Sequence, residues 1–197
     1  MRNLWQRLCR LVGVAGQRGS LRWQTLTEAK ESEFFRWFSF THVGTATNEQ
    51  RKQVFSFRPS GEKFHYLVRL DILLDQGERI EMLRLFLAAS FVDDVREGLF
   101  ARDIARSFLL SAVLQSDECS LENLANEIAG RHNMPVITRS LAADLTVLPS
   151  AGFLAFVGQG PRYEKSCSSI HLSIERTKSD VGDLVTMSIG HAGGNSQ

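Results

Sequence analysis

An alternation of apolar and polar residues in the middle of the chain constrains the fold more than any other feature. From Phe64 to Leu74 an apolar side chain occupies every second position, over eleven residues. A period of two predicts a β-strand with one buried face. Gln76-Gly77 predicts a tight hairpin turn, and the return strand is expected at about 79–91. The residues that this return strand places on one face are Leu83, Leu85, Leu87 and Ala89.

Shorter patterns around this hairpin predict a mixed fold. Asp94 followed by Glu97 is a capping pattern that predicts a helix to about Leu114, and Ser120 caps a second helix predicted at Leu121–Arg131. Further strands are predicted at Val54–Arg58, Val136–Arg139, Asp144–Leu148, Phe153–Val157, Ile170–Arg176 and Leu184–Ile189. Strands, then helices, then strands at hairpin spacing predict an α+β fold with a mainly antiparallel sheet and the two central helices on one face.

The segment 28–43 does not reveal its secondary structure. Thr25 and Glu28 form a capping pattern that opens it. Its aromatic side chains would surround a helix on all sides, and as a strand they would occupy both faces. We therefore expect the segment to be largely covered. The aromatic residues are Phe34, Phe35, Trp37, Phe38 and Phe40.

Composition predicts one globular domain. The 197 residues are 43% hydrophobic and 23% charged, which is ordinary for a globular protein and argues against a disordered body. We expect an N-terminal helix over residues 1–19, a single α+β domain over 20–191 and a flexible tail over 192–197. Glycines 13, 16 and 19 predict a loose connection, a linker at about 16–26.

The first 27 residues carry five arginines and no acidic residue. At about 100° per residue, the apolar side chains of residues 1–15 fall on one side of a helix and most of the polar ones on the other. A basic amphipathic helix of this kind docks on membranes or on partner proteins. The residues predicted to dock are Arg2, Leu4, Trp5, Arg7, Leu8, Arg10, Leu11 and Val12. Two alternatives stay open: the apolar stripe packs on the protein's own body, or the segment is a mitochondrial transit peptide.

The charge is distributed unevenly between this segment and the rest of the chain. The net charge is +1, which argues against a general nucleic-acid-binding protein. Five of the 23 basic residues precede Glu28, which leaves 18 against 22 acidic residues and a body of about −4. The partners expected are therefore an anionic membrane surface or another protein, and no specific nucleic acid.

Cysteine usage and hydropathy suggest a location. Cys9, Cys119 and Cys167 are far apart and odd in number, which predicts neither a disulfide framework nor a zinc knuckle and favours a reducing compartment. No apolar run approaches the roughly 20 residues of a membrane-spanning helix. We expect a cytoplasmic protein, membrane-associated through its N-terminal helix, or on the import alternative a protein of the mitochondrial matrix.

Other patterns have structural explanations. The loop at 158–166 offers Gly158, Gly160, Arg162 and Lys165 as an anion-binding loop, but it lacks the phosphate-loop spacings, and a plain hairpin loop is favoured. The charged residues between Asp93 and Arg106 are explained by helix capping and salt bridges. The five histidines show no metal-ligand spacing. No catalytic residue, metal or cofactor is predicted.

These observations favour a non-enzymatic accessory or adaptor protein that its basic N-terminal helix docks on a membrane surface or a larger complex. One alternative is a soluble α+β ligand-binding or enzymatic domain whose N-terminal helix is structural. Another alternative is an imported matrix protein with a transit peptide.

Overall fold

A computed structural model describes residues 21–112, 155–159, 162–167, 170–178 and 182–191. The helices in these ranges are α1 (Leu26–Glu31), α2 (Glu33–Trp37), α3 (Glu62–His65), α4 (Ala89–Asp93) and α5 (Gly98–Ala112). The strands are β1 (Phe40–Thr47), β2 (Gln53–Pro59), β3 (Val68–Leu74), β4 (Ile80–Ala88), β5 (Tyr163–Cys167), β6 (Ile170–Thr177) and β7 (Leu184–His191).

The strands form one antiparallel sheet of seven strands in the order β1-β2-β3-β4-β7-β6-β5. The first four strands pair in chain order, and β5 to β7 return along the other half of the sheet, so that β7 lies beside β4 with Leu85 opposite Met187. The strands after the central helices therefore continue the first sheet. This architecture confirms the predicted α+β fold with an antiparallel sheet.

One face of the sheet carries the core. Alternate residues of β3 and β4 are buried on it, as the period of two predicts, and β6 and β7 add their own alternate residues. Helix α5 packs on this face with its apolar stripe. The α5 residues in the core are Ala101, Ile104, Ala105, Phe108, Leu109 and Ala112. The first of the two predicted central helices thus covers one face of the sheet, and the second lies outside the described residues.

The opposite face of the sheet is polar and partly exposed, which is usual for an antiparallel sheet. Ser56 donates to the Asp71 carboxylate at 2.8 Å, and the Arg69 guanidinium lies 4.2 Å from the centre of the Phe86 ring. These contacts join β2, β3 and β4 across the face.

The segment 28–43 contains helix and strand in succession. Its helical part is α1 and α2, and its last residues begin β1. Thr25 caps α1 and Ser32 caps α2, each accepting a main-chain N–H through its hydroxyl at 3.3 Å. Phe34 is fully buried against Trp23 and Phe108. The change of structure within the segment explains why neither period fits all of it.

Two of the predicted strand bounds are wrong. Residues 62–65 form α3, and β3 begins only at Val68, because Gly61 O accepts the N–H groups of Phe64 and His65 and turns the chain there. The ring of Phe64 packs on Phe100 of α5, so its place in the alternation is coincidental. The return strand ends at Ala88, and residues 89–93 form α4.

Two further predictions fail in the described ranges. The strand predicted at Phe153–Val157 is wrong in its described part, because Ala155 and Phe156 are helical and Val157 lies in a turn. The linker predicted at 16–26 is wrong from Leu21 onward: Leu21 and Trp23 lie in the core, and Arg22 N–H donates to Ala112 O at 2.8 Å.

The other predictions divide between confirmed elements and residues outside the described ranges. The strands predicted at Val54–Arg58, Ile170–Arg176 and Leu184–Ile189 are confirmed as parts of β2, β6 and β7. The turn at Gln76-Gly77 is held by Asp75, whose carboxylate accepts the N–H groups of Gly77 and Arg79. Outside the described residues lie the predictions for 1–19, Leu121–Arg131, Val136–Arg139, Asp144–Leu148 and 192–197.

Candidate functional site

A pocket of about 440 Å³ lies where α4 meets α5. A volume of this size is enough for a small organic molecule. Apolar side chains and polar groups line it together. Its lining residues are Val92, Asp93, Asp94, Val95, Gly98, Leu99, Arg102, Val157 and Gln159.

Asp94 and Gly98 create the bend between the two helices. The Asp94 carboxylate accepts the main-chain N–H groups of Arg96 and Glu97, each at 2.7 Å, and so caps the turn that leads into α5. The hydrogen bond from Glu97, followed by that from Arg96, lowers the pKa of Asp94 below the ordinary value of 3.8. A Cβ atom at Gly98 would lie 2.5 Å from Val92 O, so only glycine permits this close approach of α5 to α4.

Arg176 of β6 holds the other side of the pocket. Its guanidinium forms an ion pair with Asp93 at 2.5 Å and donates to Ala89 O at 3.4 Å. It also lies against Gly158, where a Cβ atom would collide with it. Gly158 has a φ of 73°, a conformation that also favours glycine. Arg176 therefore fastens α4 and the 155–159 turn to the sheet.

The acidic residues around the pocket have structural partners, as the sequence predicts, although those partners come from other elements. Asp93 pairs with Arg176, and Glu97 pairs with Lys63 of α3 at 2.5 Å. Asp94 is the cap. Because each of these carboxylates is engaged in a cap or an ion pair, their clustering does not by itself indicate acid–base chemistry.

The structure separates the residues proposed as an anion-binding loop. Gly158 lies beside the pocket, whereas Arg162 lies before β5 and pairs with Glu164 at 2.7 Å and with Glu175 at 3.5 Å. Lys165 is exposed on β5, and Gly160 is outside the described residues. The glycine is explained by its contact with Arg176, and Arg162 has two acidic partners.

Three histidines lie beside polar groups. His171 Nδ1 lies 2.9 Å from the Ser166 hydroxyl, and its Nε2 lies 3.9 Å from the Glu164 carboxylate. His42 Nε2 lies 3.0 Å from the Thr45 hydroxyl in a similar pairing. His65, predicted on a strand, lies in α3. In the part of the chain that the structure describes, no group of three potential ligands is placed to hold a metal ion.

The predicted docking residues of the N-terminal helix, from Arg2 to Val12, lie outside the described residues. Of the five N-terminal arginines, Arg22 is described, and its side chain is exposed. Among the described helices, none has both the length and the apolar character needed to cross a membrane.

Sequence reasoning missed the pocket because its residues come from separate parts of the chain. The α4–α5 bend and the 155–159 turn are more than fifty residues apart. Gly98 and Gly158 carried a partial signal, since each is a glycine beside a predicted element boundary. Neither glycine identifies its neighbour, and Arg176 gave no signal beyond its place on a predicted strand.

Comparisons of the chain with protein-family models, with curated proteins and with solved structures found no match.

Proposed function

We propose that this protein is a non-enzymatic adaptor that its basic N-terminal helix holds on an anionic membrane surface. The observation that carries the proposal is the segregation of charge in the sequence. Five arginines precede the first acidic residue, Glu28, while the remainder of the chain is acidic by about four charges. A basic amphipathic helix on an acidic body is attracted to an anionic surface through the helix alone.

The energies of docking favour reversible attachment. Five large apolar side chains, those of Leu4, Trp5, Leu8, Leu11 and Val12, share the stripe. Burial of each contributes at most roughly 1.5–3 kcal/mol, and each arginine near an anionic membrane adds about 1 kcal/mol. Ordering the helix offsets part of this gain.

The attachment of residues 21–23 to the described body supports the proposal. Leu21 and Trp23 are buried on either side of the exposed Arg22, and the main chain of Arg22 is bonded to the end of α5. The N-terminal segment therefore joins the body at a fixed point. A docked helix would therefore be tethered to the body at residues 21–23.

Vesicle flotation of the full chain tests the proposal. We expect binding to phosphatidylcholine vesicles that contain phosphatidylserine, and weaker binding as salt is raised. The double variant Trp5→Ala, Leu8→Ala removes two anchors and is expected to weaken binding about 100-fold or more. The matched control is Trp37→Ala, Val95→Ala, because these side chains are 66% and 93% exposed on the body.

A second pair of variants separates charge from apolar contact. Arg7→Gln, Arg10→Gln is expected to weaken binding by about 2 kcal/mol, or roughly 30-fold. The control Arg36→Gln, Arg96→Gln removes the same charge from exposed positions on the body. Indifference of the full chain to lipid and salt would refute membrane docking. A protein captured by the full chain and not by the Trp5→Ala, Leu8→Ala variant would then point to a larger complex.

The pocket at the α4–α5 bend favours ligand binding as a second candidate function. Its apolar wall, formed by Val92, Leu99 and Val157, and its polar group at Gln159 suit a small ligand with an apolar body and a hydrogen-bonding head. The measurement is thermal stabilisation by a panel of such compounds, compared between the native protein and Leu99→Arg. Stabilisation that Leu99→Arg leaves unchanged would place the ligand elsewhere.

A further inference from the structure

The outer edge of β1 is the feature of the described sheet that most resembles an unfilled strand position. β1 lies at one end of the sheet order, and six of its eight residues are exposed. Its sequence, Phe-Thr-His-Val-Gly-Thr-Ala-Thr, contains no acidic residue, lysine, arginine or proline. A long uncharged edge strand is a template for pairing with another strand.

The other edge of the sheet is protected in the way that natural edge strands usually are. β5 has five residues, and two of them, Glu164 and Lys165, are charged and exposed. Short length and charge both discourage pairing at an edge. Among the described strands, the contrast identifies β1 as the edge that is open to a further strand.

Main-chain groups at one end of β1 are directed outward. Asn48 N–H donates to Lys52 O at 2.9 Å, and in the same register Ala46 lies opposite Val54. Because residues of an antiparallel pair bond alternately to the two sides, Gly44 and Ala46 bond toward β2. The N–H and C=O groups of Thr45 and Thr47 therefore point away from the sheet.

We propose that β1 pairs with β1 of a second copy of this chain, antiparallel across a two-fold axis at Ala46. Thr45 then lies opposite Thr47 of the second copy, and the two outward residues of each chain form four main-chain hydrogen bonds. The register shift between His42 and Gly44 interrupts the regular edge, so this pairing is confined to the last part of the strand.

The second copy is the occupant that the uncharged edge favours. The residues that pair, 44–48 of each copy, carry no charged side chain, so no like charges meet across the axis. Opposed threonines are a favourable cross-strand pair. At the two-fold axis Ala46 lies opposite Ala46 of the second copy, and its small side chain allows the two strands to approach each other.

Sedimentation velocity on the full chain tests the proposal from about 1 to about 500 μM, the range suited to a small interface. We expect a concentration-dependent dimer. Ala46→Lys and Ala46→Glu each place like charges on the axis and are expected to weaken it about fivefold or more. An equimolar mixture of the two variants is expected to restore association. The control is Gln53→Lys, an exposed position on β2.

Amide hydrogen exchange by NMR gives a second readout that does not depend on a variant. Raising the protein concentration is expected to slow exchange at Thr45 and Thr47. Gly44 and Ala46, which bond toward β2, are expected to be protected at every concentration. A monomer throughout the range, or a dimer that Ala46→Lys and Ala46→Glu leave unchanged while Thr45 and Thr47 gain no protection, would overturn the proposal.

Discussion

Replacing Gly98 by alanine tests the close packing that forms the α4–α5 bend. A Cβ atom at this position would lie 2.5 Å from Val92 O and 3.4 Å from Val92 C. The obstruction is main chain, so no side-chain rotation removes it. α4 is itself held by the Asp93–Arg176 ion pair and by the hydrogen bond from Ala89 N–H to Asp183 O at 2.8 Å. The two helices must therefore separate.

Two opposing effects decide the sign of this change. Alanine stabilises a helix relative to glycine by at most about 1 kcal/mol, and less at the first residue of α5 than in its interior. Forcing extra atoms into a packed contact costs typically about 1–3 kcal/mol. We expect the free energy of unfolding to fall by about 1–2 kcal/mol. A substitution judged by helix propensity alone would be expected to raise it.

Urea unfolding followed by circular dichroism measures the difference. With an m-value of about 2 kcal/mol/M, the midpoint is expected to fall by about 0.5–1 M without a change of slope. Gly44→Ala is the matched control, because a Cβ atom at Gly44 meets nothing within 4 Å. Its midpoint is expected to stay within about 0.25 M of the native value. A Gly98→Ala protein as stable as the native one would refute this account of the bend.

Three further predictions concern the core, the cap and the turn. Phe34→Ala is expected to lower the free energy of unfolding by about 3–5 kcal/mol. The control is Trp37→Ala, which removes a side chain that is 66% exposed and is expected to change the free energy of unfolding by less than about 0.5 kcal/mol. Equal effects would contradict the buried aromatic cluster. Because the pKa of Asp94 is lowered in the folded protein, its ionised carboxylate stabilises the fold at pH values above the ordinary pKa of 3.8, and this stabilisation is lost as the pH falls through the folded pKa. Asp94→Asn is therefore expected to weaken the dependence of the free energy of unfolding on pH between about pH 5 and 2. An unchanged dependence would argue against the cap. Gly158→Ala combines a positive φ with a collision against Arg176, and is expected to destabilise by about 1–3 kcal/mol in the same urea assay; a neutral result would show that the turn moves freely.

The sheet could be predicted where the alternation of buried and exposed side chains alone determined the pattern of apolar residues. In β3 and β4 the alternation of apolar residues predicts that Leu70, Ile72, Leu83 and Leu85 face the core, and all four are fully buried. The prediction failed at Phe64, where an aromatic residue continued the period by chance while its ring packed on α5. Periodicity records which side chains are buried and not the element that buries them.

The pocket could not be predicted because it depends on contacts between distant segments. The spacing of Asp94 to Glu97 predicts a cap, and the structure confirms it. The partner of Asp93 is Arg176, more than eighty residues away, and no local pattern encodes such a pair. The order of the strands was equally hidden, since β7 joins β4 across the whole intervening chain.

The central claim is that the apolar side of the N-terminal helix contacts a membrane. The chain has three tryptophans, and Trp23→Phe, Trp37→Phe leaves Trp5 as the sole one. Trp23 lies in the core and Trp37 on the surface, so a circular dichroism spectrum first establishes that this variant folds. In the presence of phosphatidylserine vesicles the account predicts that Trp5 emission shifts to shorter wavelength and is quenched by brominated lipid. Emission that neither shifts nor is quenched would contradict it.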